Sequence, residues 1–421
     1  VSGAAITGLG LHGPFGSLEA TWSALAEGRG GVRAHALREA PGLGQVPAAP
    51  AAPIDLSGFL PDPKLQKYMG RATELAVAAA GRALADAGIR RGDALAGSTA
   101  LLATTDLISF DLGEVMPAVV SALREGSGLD YAWLGANGFR GCHPLLPFKM
   151  LLNMPLGMVS IALGLTGENL INYPNAQQSA VCLQTALRGL RSGRFPRALV
   201  GASAHPLSLA PMTRAMRLGA VAEASELADP TSGEHRGIAL ADAGAFVVLE
   251  GAQEARRRGA RVLARLRSVA SSPPGTLASA EELEPALLEL FSEAAPDRSP
   301  DVAIATGFQS RAEIDACSKA LGRQWRGPPA LLSFDGKLGC AGAAALMVAL
   351  LLGSRLLANA PEPKLARVDD AALGAPPAAQ DFAIAFPSTA AARPHSALVL
   401  SRDAEGALAA ALLEAPGEAV A

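Results

Sequence analysis

A chain of 421 residues is too long for one small core and suits two fused domains or one large duplicated one. Half of its residues are apolar but only 4% are aromatic, so Ala and Gly must supply much of the apolar count, and the core is expected to be closely packed helices with small side chains. The net charge of −3 gives no basic field for nucleic acid or an anionic membrane.

Four cysteines (Cys142, Cys182, Cys317 and Cys340) lie far apart, without CxxC or metal-ligand spacing. That usage fits a reducing cytoplasm, and neither a metal nor a cofactor is expected. Residues 1–16 are apolar but lack a basic leader and are broken by glycines, so they do not read as a signal peptide. Two stretches resemble membrane spans. Residues 145–165 contain Lys149, Asn153 and Pro155, and residues 338–352 fall short of the roughly 20 a bilayer demands. Both read as buried helices.

In chain order, residues 4–7 read as a buried strand running into a glycine turn, and 18–27 as a short helix. A Pro/Ala-rich surface connection spans 40–63. Residues 71–87 have helical periodicity and end at Gly88. A strand follows at 101–105, a helical excursion at 106–126, a helix at 176–192 closed by Gly193, and a strand at 198–202. A strand at 243–249 leads into a basic helix at 252–258, and residues 271–283 carry the Pro and Ser signals of a loop between two halves. The alternation then repeats: strand 302–306, helix 312–321, strand 330–334, helix 341–357 and strand 397–401. From about residue 410 the chain reads as a loosely held tail. Strand and helix alternating twice over predicts an α/β class with layered sheets.

Several segments together resemble the β-ketoacyl synthases of fatty acid and polyketide synthesis. Ile6-Thr7-Gly8-Leu9-Gly10 with Pro14, Gly16, Trp22 and Gly28-Arg29 is similar to that family's opening, and residues 71–88 to its first long helix. Asn153, Gly157, Gly164 and Gly167 keep the family spacing, as do Arg191-Ser192-Gly193, Asp229-Pro230, Gly237, residues 242–250 and Arg258-Gly259-Ala260. The resemblance covers roughly residues 1–401 and rests on order and spacing. It implies a thiolase-like duplicated fold, layered α-β-α-β-α with two mixed five-stranded sheets. The halves would be residues 1–265 and 266–410, with 411–421 as the tail.

The family's chemistry needs a cysteine at a helix N-terminus, where the dipole and backbone N–H groups favour thiolate and can stabilise an oxyanion. It also needs two histidines. Counting without gaps from Gly167 or Gly193, the nucleophile position falls on Ala176; a one-residue slip puts Gln177 there, beside Gln178. Glutamine is what the chain length factors, the ketosynthase β subunits of aromatic polyketide synthases, place at that site. Thr306 stands for the first family histidine, Cys340 for the second and Asp335 for the family lysine. None of the six histidines (His12, His35, His143, His205, His235 and His395) lies between residues 236 and 394, where the family keeps both. Ala385-Phe386-Pro387-Ser388-Thr389 occupies the expected place of the glycine-rich GFGG-type loop. Threonine does not titrate near neutrality and cannot replace imidazole.

Other signals have plainer readings. Gly8-Leu9-Gly10-Leu11-His12-Gly13 matches GxGxxG, but the helix and acidic residue of a dinucleotide site do not follow, and the glycines read as turn residues. Arg256, Arg257, Arg258, Arg261, Arg265 and Arg267 form a basic cluster, read as a solvated face or as a docking patch for an acidic carrier protein. Cys340 adjoins a helix start that could activate its thiol. Leu107, Leu145 and Leu146 are expected to face the acyl tunnel at a dimer contact, or else to be ordinary core leucines. The resemblance therefore implies a non-condensing, chain length factor-type subunit paired with an active ketosynthase and served by an acyl carrier protein, with no nucleic acid and no membrane. A homodimeric scaffold, and an acyltransferase rewired through Cys340, Ser179 or Asp335, are the other readings.

Overall fold

The computed structural model describes residues 3–36, 42, 44–107, 111–126, 128–222, 237–272, 280–295, 299–358 and 394–416. Ten strands make one continuous sheet: β1 (Ala4–His12), β2 (Thr99–Thr105), β3 (Asn169–Asn172), β4 (Arg197–Ala204), β5 (Ala243–Glu250), β6 (Ala264–Ser271), β7 (Val302–Thr306), β8 (Ala330–Ser333), β9 (Ser396–Arg402) and β10 (Leu408–Glu414). Their order is β8-β7-β9-β10-β6-β1-β5-β4-β2-β3.

That order contains the same five-stranded pattern twice. In the first half β1 pairs antiparallel with β5, β5 antiparallel with β4, and β4 and β3 each parallel with β2. In the second half β6, β10, β9, β7 and β8 repeat each relation in turn. The halves join where Ala4, Ala5 and Ile6 pair with Leu266, Arg265 and Ala264. The strand of the second five-stranded set that makes this junction begins at Ala264.

Helices follow the same duplication. Between β1 and β2 lies α1 (Arg71–Asp86), with α2 (Met154–Leu163) beside it; α3 (Ala176–Arg191) follows β3, and α4 (Leu209–Arg217) follows β4. The second half has α5 (Ala280–Ala294), α6 (Arg311–Gln324) and α7 (Ala345–Ala358). α3 and α7 touch strands of both halves and form the central layer, while α1 with α2, and α5 with α6, cover the two outer faces. Three main apolar clusters fill the spaces between these layers.

Three expectations are corrected. The segment from residue 410 is no loose tail: β10 runs to Glu414, paired with β6 on one side and β9 on the other. A short alanine-rich run with little alternation looks like fraying until two neighbours bury both its faces. Helix α5 begins inside the stretch read as a loop, because Pro273 and Pro274 masked its start. Finally, Gly8 and Gly10 do not turn the chain; they sit within β1. A β-carbon on Gly8 would lie 2.2 Å from the Ala83 carbonyl oxygen, and one on Gly10 2.0 Å from that of Ala79. The glycines let α1 lie directly on the strand. Asp229-Pro230, quoted above for the resemblance, lies outside the described residues.

Gly10→Val should therefore cost at least about 2–3 kcal/mol of unfolding free energy or leave the chain insoluble, since an overpacked backbone contact has nowhere to relax. Gly135→Ala, where no atom lies within 4 Å of the added carbon, should leave the denaturant midpoint unchanged.

Candidate active site

The site lies where the carboxyl ends of the parallel strands from both halves meet. β2 ends beside Asp106, β3 leads into Asn175 and α3, and β4 runs out at Ala204 ahead of Pro206. In the second half β7 ends at Thr306, β8 leads to Asp335 and Cys340, and β9 ends at Arg402. Chains that leave parallel strands here converge on one crevice, the usual place for a ligand in such sheets. That crevice is lined by Asp106, Leu107, Asn175, Ala176, Arg214, Cys340, Asp403 and Glu405, among others, and is open to solvent on one side.

Ala176 is the first residue of α3 and is buried against the cavity. Asn175 precedes it as N-cap, yet no side chain caps the helix, so the first-turn N–H groups face the crevice end. A helix terminus of this kind could support an anion, and the side chain it presents at Ala176 is a methyl group. Gln177 and Gln178 are half-buried and hydrogen-bonded to each other at 2.8 Å; neither lines the cavity. Of the three residues, Ala176 alone lines the cavity.

Thr306, Asp335 and Cys340 stand together. The Thr306 hydroxyl donates to Asp335 Oδ1 at 2.7 Å, and the Gly307 N–H donates to Asp335 Oδ2 at 2.6 Å. Thr306 also hydrogen-bonds the Cys340 thiol. Cys340 is 5% exposed, and its backbone is held by a bond from its N–H to Ala239 and another from the Ala241 N–H to its carbonyl. Its thiol is pushed far up, first by burial and then by the negative Asp335. The expected activation by a helix start is thus reversed: α7 begins only at Ala345, after a tight turn over Gly342–Ala344. Thr306 and Asp335 line a smaller cavity of about 280 Å³ behind Cys340.

Other nucleophile candidates are committed elsewhere. The Ser179 hydroxyl donates to the Ala343 carbonyl at 2.8 Å. Cys182 is buried among Thr104, Asn172 and Ala103, and burial raises its thiol to about 11. Among the described residues no histidine lines the cavity, and no group of three or more His, Cys, Asp or Glu could hold a metal ion.

Sequence reasoning missed the charged residues that line the crevice. The turn between β9 and β10 brings Asp403 and Glu405 to it, while Ala385–Thr389, where the glycine-rich loop was expected, lies outside the described residues. Glu405 pairs with Arg214 of α4 and accepts from Asn175 Nδ2 at 3.2 Å. Reading β10 as a tail hid this turn. Of the tunnel candidates, Leu107 lines the cavity and also an adjoining cleft with Leu151, Leu152 and Pro155. Leu145 and Leu146 line neither; Leu146 opens the short helix Leu146–Lys149 and is buried. The basic cluster is largely neutralised: Arg257 pairs with Glu254, Arg258 with Glu250, Arg261 with Asp86 and Arg267 with Glu414, leaving little free charge for docking.

Burial holds the Asp335 carboxyl up to about 6, against the pull of Gly307 and Thr306. An acid raised in the folded state contributes stability that is full below the ordinary carboxylate range and is lost as pH rises through about 6. Relative to the native chain, Asp335→Asn should flatten the fall in melting temperature between about pH 4 and pH 7, a difference of about 1–3 kcal/mol across that window. Parallel pH profiles for the two proteins would expose an error in this assignment.

The β-ketoacyl synthase N-terminal domain model matches residues 3–255 of this chain. Among solved structures, the ishigamide ketosynthase/chain length factor aligns with TM-score 0.76 at 20% identity, over 99% of this chain and 100% of that one. A β-ketoacyl synthase from Burkholderia phymatum aligns at 0.72 and 20% identity, again over 99% and 100%. The type II polyketide ketosynthase of the AntDE:AntF complex, solved with its acyl carrier protein, aligns at 0.68 and 16% identity with the same coverage. With more than half its length matched by the family model, the chain belongs to the β-ketoacyl synthase family.

Proposed function

We propose that this chain is a non-condensing subunit of the chain length factor type, working in the cytoplasm beside an active ketosynthase. In type II polyketide, polyene or fatty-acid-like synthesis it would shape the acyl tunnel that sets chain length, with substrates brought by an acyl carrier protein. The observation that carries this is Ala176: the helix terminus, the buried position and the crevice remain, and the atom that must form the thioester is gone. Thr306, Asp335 and Cys340, bonded to one another, supply no imidazole to assist decarboxylation.

The surface supports a partner. Among the described residues, ten of the eleven large exposed hydrophobic residues lie between positions 116 and 173, including Tyr131 at 77%, Phe139 at 69%, and Phe148, Leu151, Ile161 and Leu170. β3 ends the sheet in the same region, with one edge unpaired. An open edge flanked by apolar side chains invites a second sheet. Leu107, Leu151 and Leu152 line the cleft beside it, where side-chain bulk would limit a growing chain.

Co-expression with a cysteine-containing ketosynthase of the same pathway should give a heterodimer by native mass and longer products than the ketosynthase alone. Ile161→Asp and Leu170→Lys should each weaken that pairing at least about tenfold, as expected for charge buried at an apolar interface. Ala176→Cys should not restore condensation. A stable homodimer indifferent to any ketosynthase would favour the scaffold reading, and carbon–carbon bond formation by the purified native chain would refute both.

A further inference from the structure

The crevice has gained polar groups that its lost chemistry does not need. The Asn175 side chain is 8% exposed, and its Oδ1 has no hydrogen-bond partner. Its orientation is fixed, because Nδ2 must be the atom that donates to the Glu405 carboxylate. Asp403 Oδ2 is likewise buried and unpartnered, while Oδ1 accepts from the Glu405 and Ala407 N–H groups. Across the cavity Asp106 accepts only from backbone N–H groups, of Leu107 and Ala343. Buried acceptors left without donors are costly, and natural structures fill them.

The charges are unbalanced in the same direction. Six titratable or charged groups face the cavity: Asp106, Arg214, Cys340, Arg402, Asp403 and Glu405. Arg214 is paired with Glu405, and Arg402 with Glu313 at 3.4 Å. Asp106 and Asp403 remain without an ion pair among the described residues, although Arg402 and then Arg214 pull the Asp403 carboxyl down and Arg214 does the same to Asp106. The rest of the wall is apolar, from Leu107, Pro211, Leu218, Ile238 and Leu240.

From these observations we infer that the vacated centre is a binding site for a primary alkylammonium compound, its N–H donors on Asn175 Oδ1, Asp403 and Asp106 and its hydrocarbon part on the apolar wall. An ammonium supplies three donors and one positive charge, which matches three acceptor groups and the surplus of carboxylates. The inference depends on the cavity alone, so it stands or falls separately from any pairing with a ketosynthase.

Burial holds Asp403 up to about 6 and raises Asp106 as well. Affinity for an ammonium should therefore rise from about pH 5 to about pH 7.5 as Asp403 ionises, with Cys340 remaining a neutral thiol throughout.

The test is calorimetric titration of the full chain with n-hexylammonium, N-hexylacetamide and hexanoate. Saturable one-to-one binding of the ammonium is expected, with at least about tenfold weaker binding of the amide and none of hexanoate. Asp403→Asn keeps the Oδ1 acceptor of the turn but replaces the free oxygen with a donor, and should lower ammonium affinity at least about tenfold. No saturable ammonium binding, or an amide that binds as tightly, overturns the inference. Those two ligand results decide it even if the variant fails to fold, and a folded variant with unchanged affinity also overturns it.

Discussion

Everything in this fold depends on how closely α1 lies on the sheet. Gly8 and Gly10 of β1 and Gly244 of β5 leave room for helical carbonyl oxygens at distances where a β-carbon would stand 2.0–2.2 Å away. On the helix side the contact is made by Ala76, Ala79, Ala80 and Ala83, all fully buried or nearly so. Such packing gains dispersion contact over backbone as well as side chains, and it explains how a chain with so few aromatic rings builds a core of this size. It also allows no slack. A strand held at van der Waals distance by a rigid helix has a fixed end, and the fixed strand ends place the residues of the crevice.

A second constraint anchors the same strands from the other side. Glu250, at the end of β5 and fully buried, accepts from the Thr7 hydroxyl at 2.5 Å and is bound by Arg258. Arg197, 1% exposed at the start of β4, pairs with Glu254 and approaches Glu250 at 3.7 Å. Charges this deep cost several kcal/mol each to desolvate and are tolerable only when paired, so the network fixes which strands lie together more than it adds stability. It sits at the strand ends opposite the crevice, where rigidity costs no function.

Much of this was legible in the chain. Strands at 302–306 and 397–401 and helices at 71–87 and 176–192 were readable because periodicity and a closing glycine coincide there. Ala176 was placed by its spacing from Gly167 and Gly193, and Thr306, Asp335 and Cys340 by the runs that resemble the family's histidine motifs. What failed had a physical cause. β10 consists of Leu and Ala with no polar alternation, since both neighbours and both faces are covered, and only its pairing partners distinguish it from a tail. Losing that strand concealed the turn that carries Asp403 and Glu405. The partnership of Asn175, Glu405 and Arg214 joins residues about 190 or more positions apart from Glu405, a relation no local pattern expresses.

Duplication accounts for where the crevice lies. Asp106 at the end of β2 and Thr306 at the end of β7 occupy equivalent places in the two halves, as do the starts of α3 and α7. The convergence of these ends is set by strand pairing and helix packing, to which the side chains at the ends contribute little. A change of side chain at Ala176 or Thr306 therefore leaves the framework intact. The carboxylates are different: Asp403 holds the β9–β10 turn through Oδ1 and Asp106 accepts from backbone N–H groups, yet burial of both carries a desolvation cost that shows as a raised pKa. Groups that weaken the fold and do not serve condensation are best understood as serving something that enters the crevice.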